Sequence, residues 1–335
     1  MNRLRKFLIG FIVVDCLFLF SFVFLFYGPW KGFRTFWITT SMTTKSHQYL
    51  AKWFYSDETI KQVLNENIVV PVNEVTDTSL IKLKKYSTSI YKNKYEKEIL
   101  QHDEDEEYKL IKVSGKGYNG FLVAIYDPSR VYLATTNYLG ITGEDILTVS
   151  KREQAKVIIN GNGFHDPNWN SNGSTPHGTV IKDGKIVSKF NKSHWGGGFI
   201  GFTKENVLVL GSMSDEEALK IGYRDAVEFG PFLMINGKRS FVKGNGGWGV
   251  APRTVIGQRR DGIVLFLVIN GRLATSIGAD MIELCDIMEN YGAYNAANLD
   301  GGASSELVIN HKIINTPVAG GKYGLREIPT FWVYK

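Results

Sequence analysis

The chain has 335 residues, of which 44% are hydrophobic, so it can bury the core of one large domain and still carry an accessory segment. Its net charge of +6 is modest, and it shows no basic helix or aromatic-basic motif, so we predict no nucleic-acid partner. One of its two cysteines, Cys16, lies in an apolar N-terminal run. The rest of the chain has only Cys285, which excludes an intramolecular disulfide and a cysteine zinc site there.

The N-terminal segment is the clearest topological feature. A basic tail over residues 1–6 precedes an apolar run over residues 7–27, whose one charge is Asp15. At about 1.5 Å per residue, a helix of this length spans roughly 30 Å of hydrocarbon. The sequence after Tyr27 lacks the small residues of a cleavage site. We therefore predict a cytoplasmic tail, an uncleaved transmembrane signal anchor at 7–27 and a single-pass cell-membrane protein with the bulk of the chain outside the cytoplasm.

Residues 28–107 are predicted to form a helical stalk or linker region. An approximate apolar stripe at helical spacing covers residues 46–67, and Pro71 ends it. A second amphipathic, lysine-rich stretch covers residues 80–100. The acidic run at 101–107 is interpreted as a solvated linker.

From Tyr108 onward, short apolar runs alternate with turn residues, a pattern typical of β-strands. Asp-Gly or Asn-Gly pairs at 183–184, 236–237 and 261–262 favour tight hairpins, because such pairs accept positive φ angles. Two helices are indicated as well. Ser214 caps the acidic start of the first, and the second covers residues 279–290.

The balance of these elements favours an α+β fold. Strands outnumber helices, and Cys285 falls at core spacing in the second helix, which makes it a packing residue rather than a nucleophile. We predict a twisted mixed β-sheet core with packed helices over residues 108–335, preceded by one N-terminal transmembrane helix.

The densest group of candidate ligand residues follows a predicted strand at 294–299. Glycines in it allow a backbone to approach a ligand closely, and their amides can hold phosphate oxygens. The alternative is a tight turn in which the aspartate bonds its own backbone, and the residues alone favour neither interpretation. The group comprises Asn298, Asp300, Gly301, Gly302, Ser304 and Ser305.

A second group lies between Asn160 and His177. Asn160 and Gly161 follow a short buried strand, and the loop that leads to His177 is rich in amides and aromatic rings. Such side chains suit a sugar, which offers hydroxyl groups at its rim and an apolar face. His165 and Asp166 could hold a metal, but an isolated pair on a loop is weak evidence, so we predict no metal and no cofactor.

Two further positions carry charge. Arg253 stands at the mouth of a predicted strand, where its planar guanidinium would suit a pair of phosphate oxygens; a surface salt bridge is the alternative. Asp280 and Glu283 lie one turn apart at a helix start and can share a face, although both also suit the helix dipole. The chain contains no Ser-His-Asp order, G-x-S-x-G elbow, Walker loop or H-E-x-x-H motif.

Several of these runs resemble the phosphodiester glycosidase family. Residues 298–305 (NLDGGASS) resemble its Asn-Leu-Asp-Gly-Gly-Gly-Ser-Ser signature, and residues 159–164 resemble its Asn-Gly-Gly-Phe stretch after a strand. The strand that begins at Arg253 resembles the family's Arg-containing strand, and residues 278–284 resemble its Gly-x-Thr-x-x-Glu-Leu helix start.

The resemblance covers residues 108–335 and departs from the family pattern at Asn162, Asp280 and Ala303. The anchor together with the predicted helix at 46–67 resembles membrane-anchored bacterial members. The resemblance implies a glycosidase that hydrolyses a sugar-1-phosphodiester at the anomeric carbon, on a phosphate-linked cell-surface glycan or polymer.

The resemblance also implies roles for the candidate residues. A carboxylate must activate water or attack the anomeric carbon, and Asp300 is the first choice for it, followed by Glu283. Charge on the phosphate would be stabilised by Arg253 and by the amides of the two glycines after Asp300. The sugar would be oriented by Asn160, His177 and Asn298.

Two other functions are compatible with the sequence. One is a membrane-tethered, non-catalytic module that binds a cell-wall glycan. The other is a metal-dependent phosphodiesterase that cuts the P–O bond.

Overall fold

The computed structural model describes residues 2–44, 47–83, 91–167, 171–190 and 197–335. Within these ranges the helices are α1 (Asn2–Tyr27), α2 (Lys31–Thr43), α3 (Tyr49–Lys52), α4 (Asp57–Glu66), α5 (Lys94–Leu100), α6 (Ile146–Glu153), α7 (Asp215–Ile221) and α8 (Met281–Asn290). The strands are β1 (Ile68–Val70), β2 (Tyr108–Gly115), β3 (Tyr118–Ile125), β4 (Val131–Thr135), β5 (Val157–Asn160), β6 (Gly178–Lys182), β7 (Lys185–Phe190), β8 (Gly198–Thr203), β9 (Leu208–Gly211), β10 (Tyr223–Phe229), β11 (Phe232–Ile235), β12 (Lys238–Arg239), β13 (Phe241–Lys243), β14 (Arg253–Arg259), β15 (Val264–Ile269), β16 (Ala293–Asn298), β17 (Leu307–Ile309), β18 (Lys312–Ile313) and β19 (Thr330–Tyr334).

Three sheets build the body of the protein. The largest has the order β12-β11-β16-β14-β15-β3-β2, and two five-stranded sheets have the orders β18-β17-β5-β19-β4 and β7-β6-β10-β8-β9. A separate ladder joins β1 to β13. The consecutive pairs β2–β3, β6–β7 and β14–β15 are antiparallel hairpins.

The central core lies where the inner faces of the three sheets meet. Strand β15 shows how one strand serves two cores: Val264, Phe266 and Val268 face the central cluster, whereas Leu265 and Leu267 face a second cluster formed with α8. Because side chains alternate between the faces of a strand, burial of both faces requires an unbroken apolar run. Helices α6 and α7 cover the outer faces of the two smaller sheets.

The predicted α+β fold is confirmed, with packed helices and one apolar N-terminal helix. The hairpin turns are present as well: Asp183 and Gly184 have φ angles of 52° and 75°, and Asn236 and Gly237 have 57° and 74°. Ser214 caps α7 through a capping box, as the sequence indicates.

The region before Tyr108 differs in detail from the prediction. The helix expected over residues 46–67 is two helices, α3 and α4, because Ser56 accepts a hydrogen bond from the amide of Thr59 and starts a new helix. The predicted stretch at 80–100 contains α5, while residues 84–90 lie outside the described residues. In the acidic run, Glu107 forms ion pairs with Arg130 and Lys156.

Residues 28–107 also contact the sheets directly. Asn67 Oδ1 accepts from the amide of Asn245, and the Asn245 Nδ2 donates to Thr39 Oγ1 in α2 at 2.8 Å. The amide of Val250 donates to Thr40 Oγ1 at 3.2 Å. The boundary at residue 107 stays a prediction, but helices α2 and α4 are packed against the loop at 244–250.

Helix α1 is long and apolar enough to cross a membrane, and its position near the N-terminus also fits a signal sequence. Its last turn is part of the folded protein. Phe26 is buried against Phe33, Trp37 and Phe54, and the Tyr55 hydroxyl donates to the Phe26 carbonyl at 3.0 Å.

Candidate active site

A cleft of about 220 Å³ opens where the ends of several strands and the end of α2 converge. Its volume lies just below the range of about 300–1,000 Å³ that is usual for ligand pockets, so it suits a small ligand. The lining residues are Thr43, Thr44, Gly163, Phe164, Asp166, His177, Phe229, Trp248, Ala251, Arg253, Arg272, Asn298, Asp300, Gly301, Gly302, Ala303, Ser304 and Arg326. Seven candidate residues from the sequence are therefore brought together: His177, Arg253, Asn298, Asp300, Gly301, Gly302 and Ser304.

Asp300 is held firmly at the end of β16. Its amide donates to the Gly161 carbonyl at 3.1 Å, and its own carbonyl accepts from Asn160 Nδ2 at 2.7 Å. The amide of Gly301 donates to Asp300 Oδ1 at 3.0 Å. Bonds on both sides of the residue fix its backbone, and the carboxylate projects into the cleft.

The two glycines after Asp300 provide space rather than donors. The Gly301 amide is occupied by Asp300, and the Gly302 amide donates to the Pro252 carbonyl at 2.8 Å. A Cβ on Gly301 would lie 2.9 Å from the Pro252 carbonyl oxygen, and Gly302 has φ of 64°. The expectation that these amides hold a phosphate is therefore not met by the geometry, because both already donate within the protein.

Asn160 and Gly161 lie behind the Asp300 turn instead of in the cleft lining. Asn160 Oδ1 accepts from the Thr254 hydroxyl at 2.7 Å and from the Glu306 amide at 3.2 Å. A Cβ on Gly161 would lie 2.4 Å from Thr330 Oγ1. Both residues therefore tie β5 to the turn that carries Asp300.

The other polar residues of the signature are buried to different depths. Asn298 Nδ2 donates to the Gly230 carbonyl at 2.9 Å, while the buried Oδ1 of Asn298 has no protein partner among the described residues. Ser304 lines the cleft, whereas Ser305 is buried outside its lining. Of these three polar residues, Asn298 and Ser304 are thus the two that a ligand in the cleft could reach.

Arg253 lies at the start of β14 and is 4% exposed. Its Nε donates to the Ala279 carbonyl at 3.2 Å, and its Nη2 donates to the carbonyls of Trp248 and Gly249 at 2.5 Å and 2.7 Å. Burial lowers the pKa of the guanidinium to about 10, so it remains cationic at neutral pH. The predicted two-pronged grip on a phosphate is not what this geometry offers, since most of the donor fork is spent on carbonyls.

The cleft lining also contains two arginines that the sequence did not single out. Arg272 lies in the loop after β15, and its Nη2 is 3.1 Å from the position that a Cβ on Gly302 would take. Arg326 donates to Asp166 Oδ2 at 2.9 Å and lies over the Phe164 ring at 4.5 Å. Three arginines against two aspartates leave the lining with an excess of positive charge, which suits a phosphodiester anion.

Aromatic rings also line the cleft. Phe164, Phe229, Trp248 and the His177 imidazole all line the cleft. The amide of His177 donates to the Gly163 carbonyl, and its carbonyl accepts from Asn162 Nδ2 at 2.7 Å, which fixes the loop at this point. Residues 168–170 of the predicted sugar loop lie outside the described residues.

Glu283 lies outside the cleft lining. Its Oε2 accepts from the Asp280 amide at 2.9 Å, and its own amide donates to Asp280 Oδ1 at 3.0 Å, so the two form the capping box of α8. Burial raises the pKa of Glu283. Its geometry is that of a helix-capping residue.

Glu306 is fully buried just behind the signature turn. Its Oε1 accepts from the Arg326 amide at 3.1 Å, and its Oε2 has no protein partner among the described residues. Burial raises the pKa of this carboxyl well above its ordinary value. Burial therefore favours the protonated form of this carboxyl, and its ionisation destabilises the folded state.

We expect Glu306→Gln to remove a pH-dependent loss of stability. The pKa of Glu306 is higher in the folded than in the unfolded state. Its contribution to the free energy of unfolding is therefore complete below the unfolded pKa and declines as the pH rises toward the folded pKa. Thermal unfolding of the two proteins between about pH 5 and about pH 8 should show the variant gaining on the wild type with rising pH. A constant difference in melting temperature across this range would contradict a raised pKa.

His165 and Asp166, the candidate metal ligands, are not joined by a third ligand within the described ranges. In the described part of the chain, no group of three His, Cys, Asp or Glu side chains is placed to hold a metal ion. Asp166 instead pairs with Arg326, and its Oδ1 accepts from the Ser171 amide at 2.9 Å.

Comparison with known proteins gives the class of this fold and site. Residues 153–335 match a family model described as phosphodiester glycosidase, more than half of the chain. The chain belongs to the phosphodiester glycosidase family.

Two relatives show how far the similarity extends. The SPbeta prophage-derived uncharacterized protein YomE of Bacillus subtilis (strain 168) is 30% identical over 197 residues, which make up 56% of this chain and 29% of that protein. The chain thus spans less than a third of that curated relative. The catalytic domain of zebrafish N-acetylglucosamine-1-phosphodiester alpha-N-acetylglucosaminidase, auto-inhibited by its pro-peptide, is similar in structure with a TM-score of 0.56 and 19% identity, over 70% of this chain and 85% of that one. The zebrafish structure supports the fold.

Proposed function

We propose that this protein is a membrane-anchored glycosidase that hydrolyses a sugar-1-phosphodiester between the anomeric carbon and the phosphate-linked oxygen, on a cell-surface glycan or polymer. The observation that carries the proposal is the placement of the Asp300 carboxylate in one cleft with Arg253, Arg272 and Arg326. A carboxylate beside a cationic phosphate site is what cleavage at an anomeric carbon requires.

Asp300 and the arginines have different roles in the proposed reaction. Asp300 either attacks the anomeric carbon or takes a proton from the attacking water. The bond from the anomeric carbon to oxygen breaks, the electron pair stays with the departing phosphate monoester, and water supplies the new hydroxyl of the sugar. Because a phosphate monoester is a good leaving group, the arginines need to stabilise its charge more than any acid needs to protonate it.

The structure supports different roles for the remaining candidates. Arg272 is the arginine best placed to bind the phosphate, since no described residue forms a hydrogen bond or ion pair with its side chain and it lies over Gly302. Arg253 donates hydrogen bonds to backbone carbonyls around the cleft, which holds those segments in place, and it adds fixed positive charge. His177 and Asn298 face the sugar, whereas Glu283 serves α8.

Isotope labelling tests the bond that is cut. The full-length protein in detergent is given an N-acetylglucosamine-1-phosphodiester, the class in the zebrafish protein's name, in ¹⁸O-labelled water. Label in the sugar supports a glycosidase, whereas label in the phosphate shows P–O cleavage and supports a phosphodiesterase. Activity in the presence of a chelator argues against a metal requirement. Glycan binding without turnover would support the non-catalytic module.

We further propose that α1 is retained in the mature protein as its membrane anchor, with the catalytic domain outside the cytoplasm. Phe26 lies in the core of the helical bundle, so removal of α1 would expose Phe33, Trp37 and Phe54. We expect mass spectrometry of the protein purified from membranes to find peptides that precede Tyr27. Protease added to intact cells should digest the domain; complete protection would show the inverted orientation, and a chain that starts after Tyr27 would refute retention.

A further inference from the structure

The end of α1 packs with α2, α3 and α4 in a small helical bundle, and four large aromatic side chains are exposed on it. They are Tyr27, Trp30, Tyr49 and Trp53, and Trp53 is the most exposed at 70%. Single exposed apolar residues are ordinary, but several large aromatic rings on one small bundle need a partner surface. We refer to these four residues as the aromatic collar.

The collar is rigidly placed. The rings of Tyr49 and Trp53 lie 4.7 Å apart, and Trp37 Nε1 donates to the Leu50 carbonyl at 2.9 Å, which fixes α3 against α2. The hydrogen bond from Tyr55 to the Phe26 carbonyl fixes the turn after α3 to the end of α1. The exposed rings therefore keep a constant position relative to α1.

The turn that carries Trp53 reaches back along α1. The Phe54 ring lies 4.3 Å from the Phe26 ring and 5.7 Å from the Phe22 ring. Phe22 precedes the end of α1 by five residues, which corresponds to about 7.5 Å along a helix axis. The corner at Trp53 thus lies level with the last turns of the apolar helix, at the depth where a spanning helix leaves the hydrocarbon.

We propose that the aromatic collar docks the extracytoplasmic domain on the phospholipid interface and holds it in one orientation, an inference that rests on the proposed anchor. Tyrosine and tryptophan favour the boundary between headgroups and hydrocarbon, because their rings are apolar and their polar atoms remain hydrated. Exposed Lys31 and Lys52 flank the collar and complement phosphate headgroups.

Docking sets the height of the candidate active site. Helix α2 leads from the collar to the cleft, where Thr43 and Thr44 form part of the lining. Its 13 residues correspond to about 20 Å at 1.5 Å per residue. The cleft therefore lies within about 20 Å of the interface, and its substrate is a phosphodiester at or near the membrane surface, such as a lipid-linked or wall-proximal glycan.

The test measures membrane depth in the full chain. The protein with Cys16→Ser is reconstituted into nanodiscs of phosphatidylethanolamine and phosphatidylglycerol, and a nitroxide is attached at Trp53→Cys or at Leu219→Cys. Leu219 is the matched control, since it is 46% exposed on α7, outside the bundle. Buried Cys285 stays unlabelled. Accessibility to oxygen and to a water-soluble nickel chelate reports the depth.

We expect the nitroxide at position 53 to be reached more readily by oxygen than by nickel, and the nitroxide at 219 to show the reverse. Equal, high nickel accessibility at both positions, in a chain that still contains α1, would overturn docking and leave the anchor standing. A mature chain without α1 would overturn both. Failure to hydrolyse a soluble diester would refute the proposed catalysis without changing either depth measurement.

Discussion

Asp300→Asn should lower kcat for a sugar-1-phosphodiester by at least about 100-fold, the lower range for loss of a catalytic acid or base. The amide side chain is nearly isosteric and can still accept the Gly301 hydrogen bond, so the turn should persist. It lacks the charge that a nucleophile or base needs. Steady-state kinetics and thermal unfolding on the same purified protein separate the chemical effect from a folding effect.

Glu283→Gln is the matched control for this experiment. Glutamine can also complete a capping box, so α8 should remain intact and kcat should stay near that of the wild type. A stable Asp300→Asn protein with ordinary turnover would refute the catalytic role of Asp300. A lower melting temperature with unchanged turnover in the remaining folded protein would reduce Asp300 to a turn residue.

Arg272→Ala should raise KM for the diester by about 10- to 100-fold, which corresponds to about 1.5–3 kcal/mol for a hydrogen bond to a charged group. The fold should be little affected, because no described residue bonds this side chain. The effect should be confined to phosphorylated substrates, so binding of the free sugar, measured by calorimetry, should not change.

Two other arginines serve as controls. Arg260 stacks on Tyr294 at 4.7 Å outside the cleft, so Arg260→Ala should leave KM unchanged. Arg253→Lys should instead lower stability, because lysine cannot serve the carbonyls of Trp248, Gly249 and Ala279 together. An unchanged KM in Arg272→Ala would remove Arg272 from the phosphate site.

Features fixed by neighbouring residues were predictable from the sequence. The turns at Asp183 and Asn236 depend on the residue's own tolerance of positive φ, and each is followed by glycine. The caps at Ser214 and Asp280 depend on residues three positions apart. The Asp300 turn was recognisable for the same reason, as a strand that runs into two glycines.

Features that depend on long-range packing were not predictable. Arg272 and Arg326 reach the cleft only because β15 ends beside β14 and the chain before β19 crosses Phe164. The one local signal for Arg272 was its position in the loop that follows a buried strand. Arg253 was found, but its role was misjudged, because the carbonyls of residues 248 and 249 that occupy it come from a loop whose path the sequence does not reveal.

The bonds from α2 to the loop at 244–250 have a practical consequence for the production of a soluble form of this protein. Thr39 and Thr40 hold the loop whose carbonyls orient Arg253, and Thr43 forms part of the cleft. A secreted version cut at residue 108, or at the start of the family match at 153, would lose Thr43 and Thr44 from the cleft lining, and would also lose the hydrogen bonds that hold the loop around the buried Arg253. The shortest useful secreted version therefore begins ahead of Lys31. It needs polar substitutions among Phe33, Trp37 and Phe54, which are exposed when Phe26 is removed.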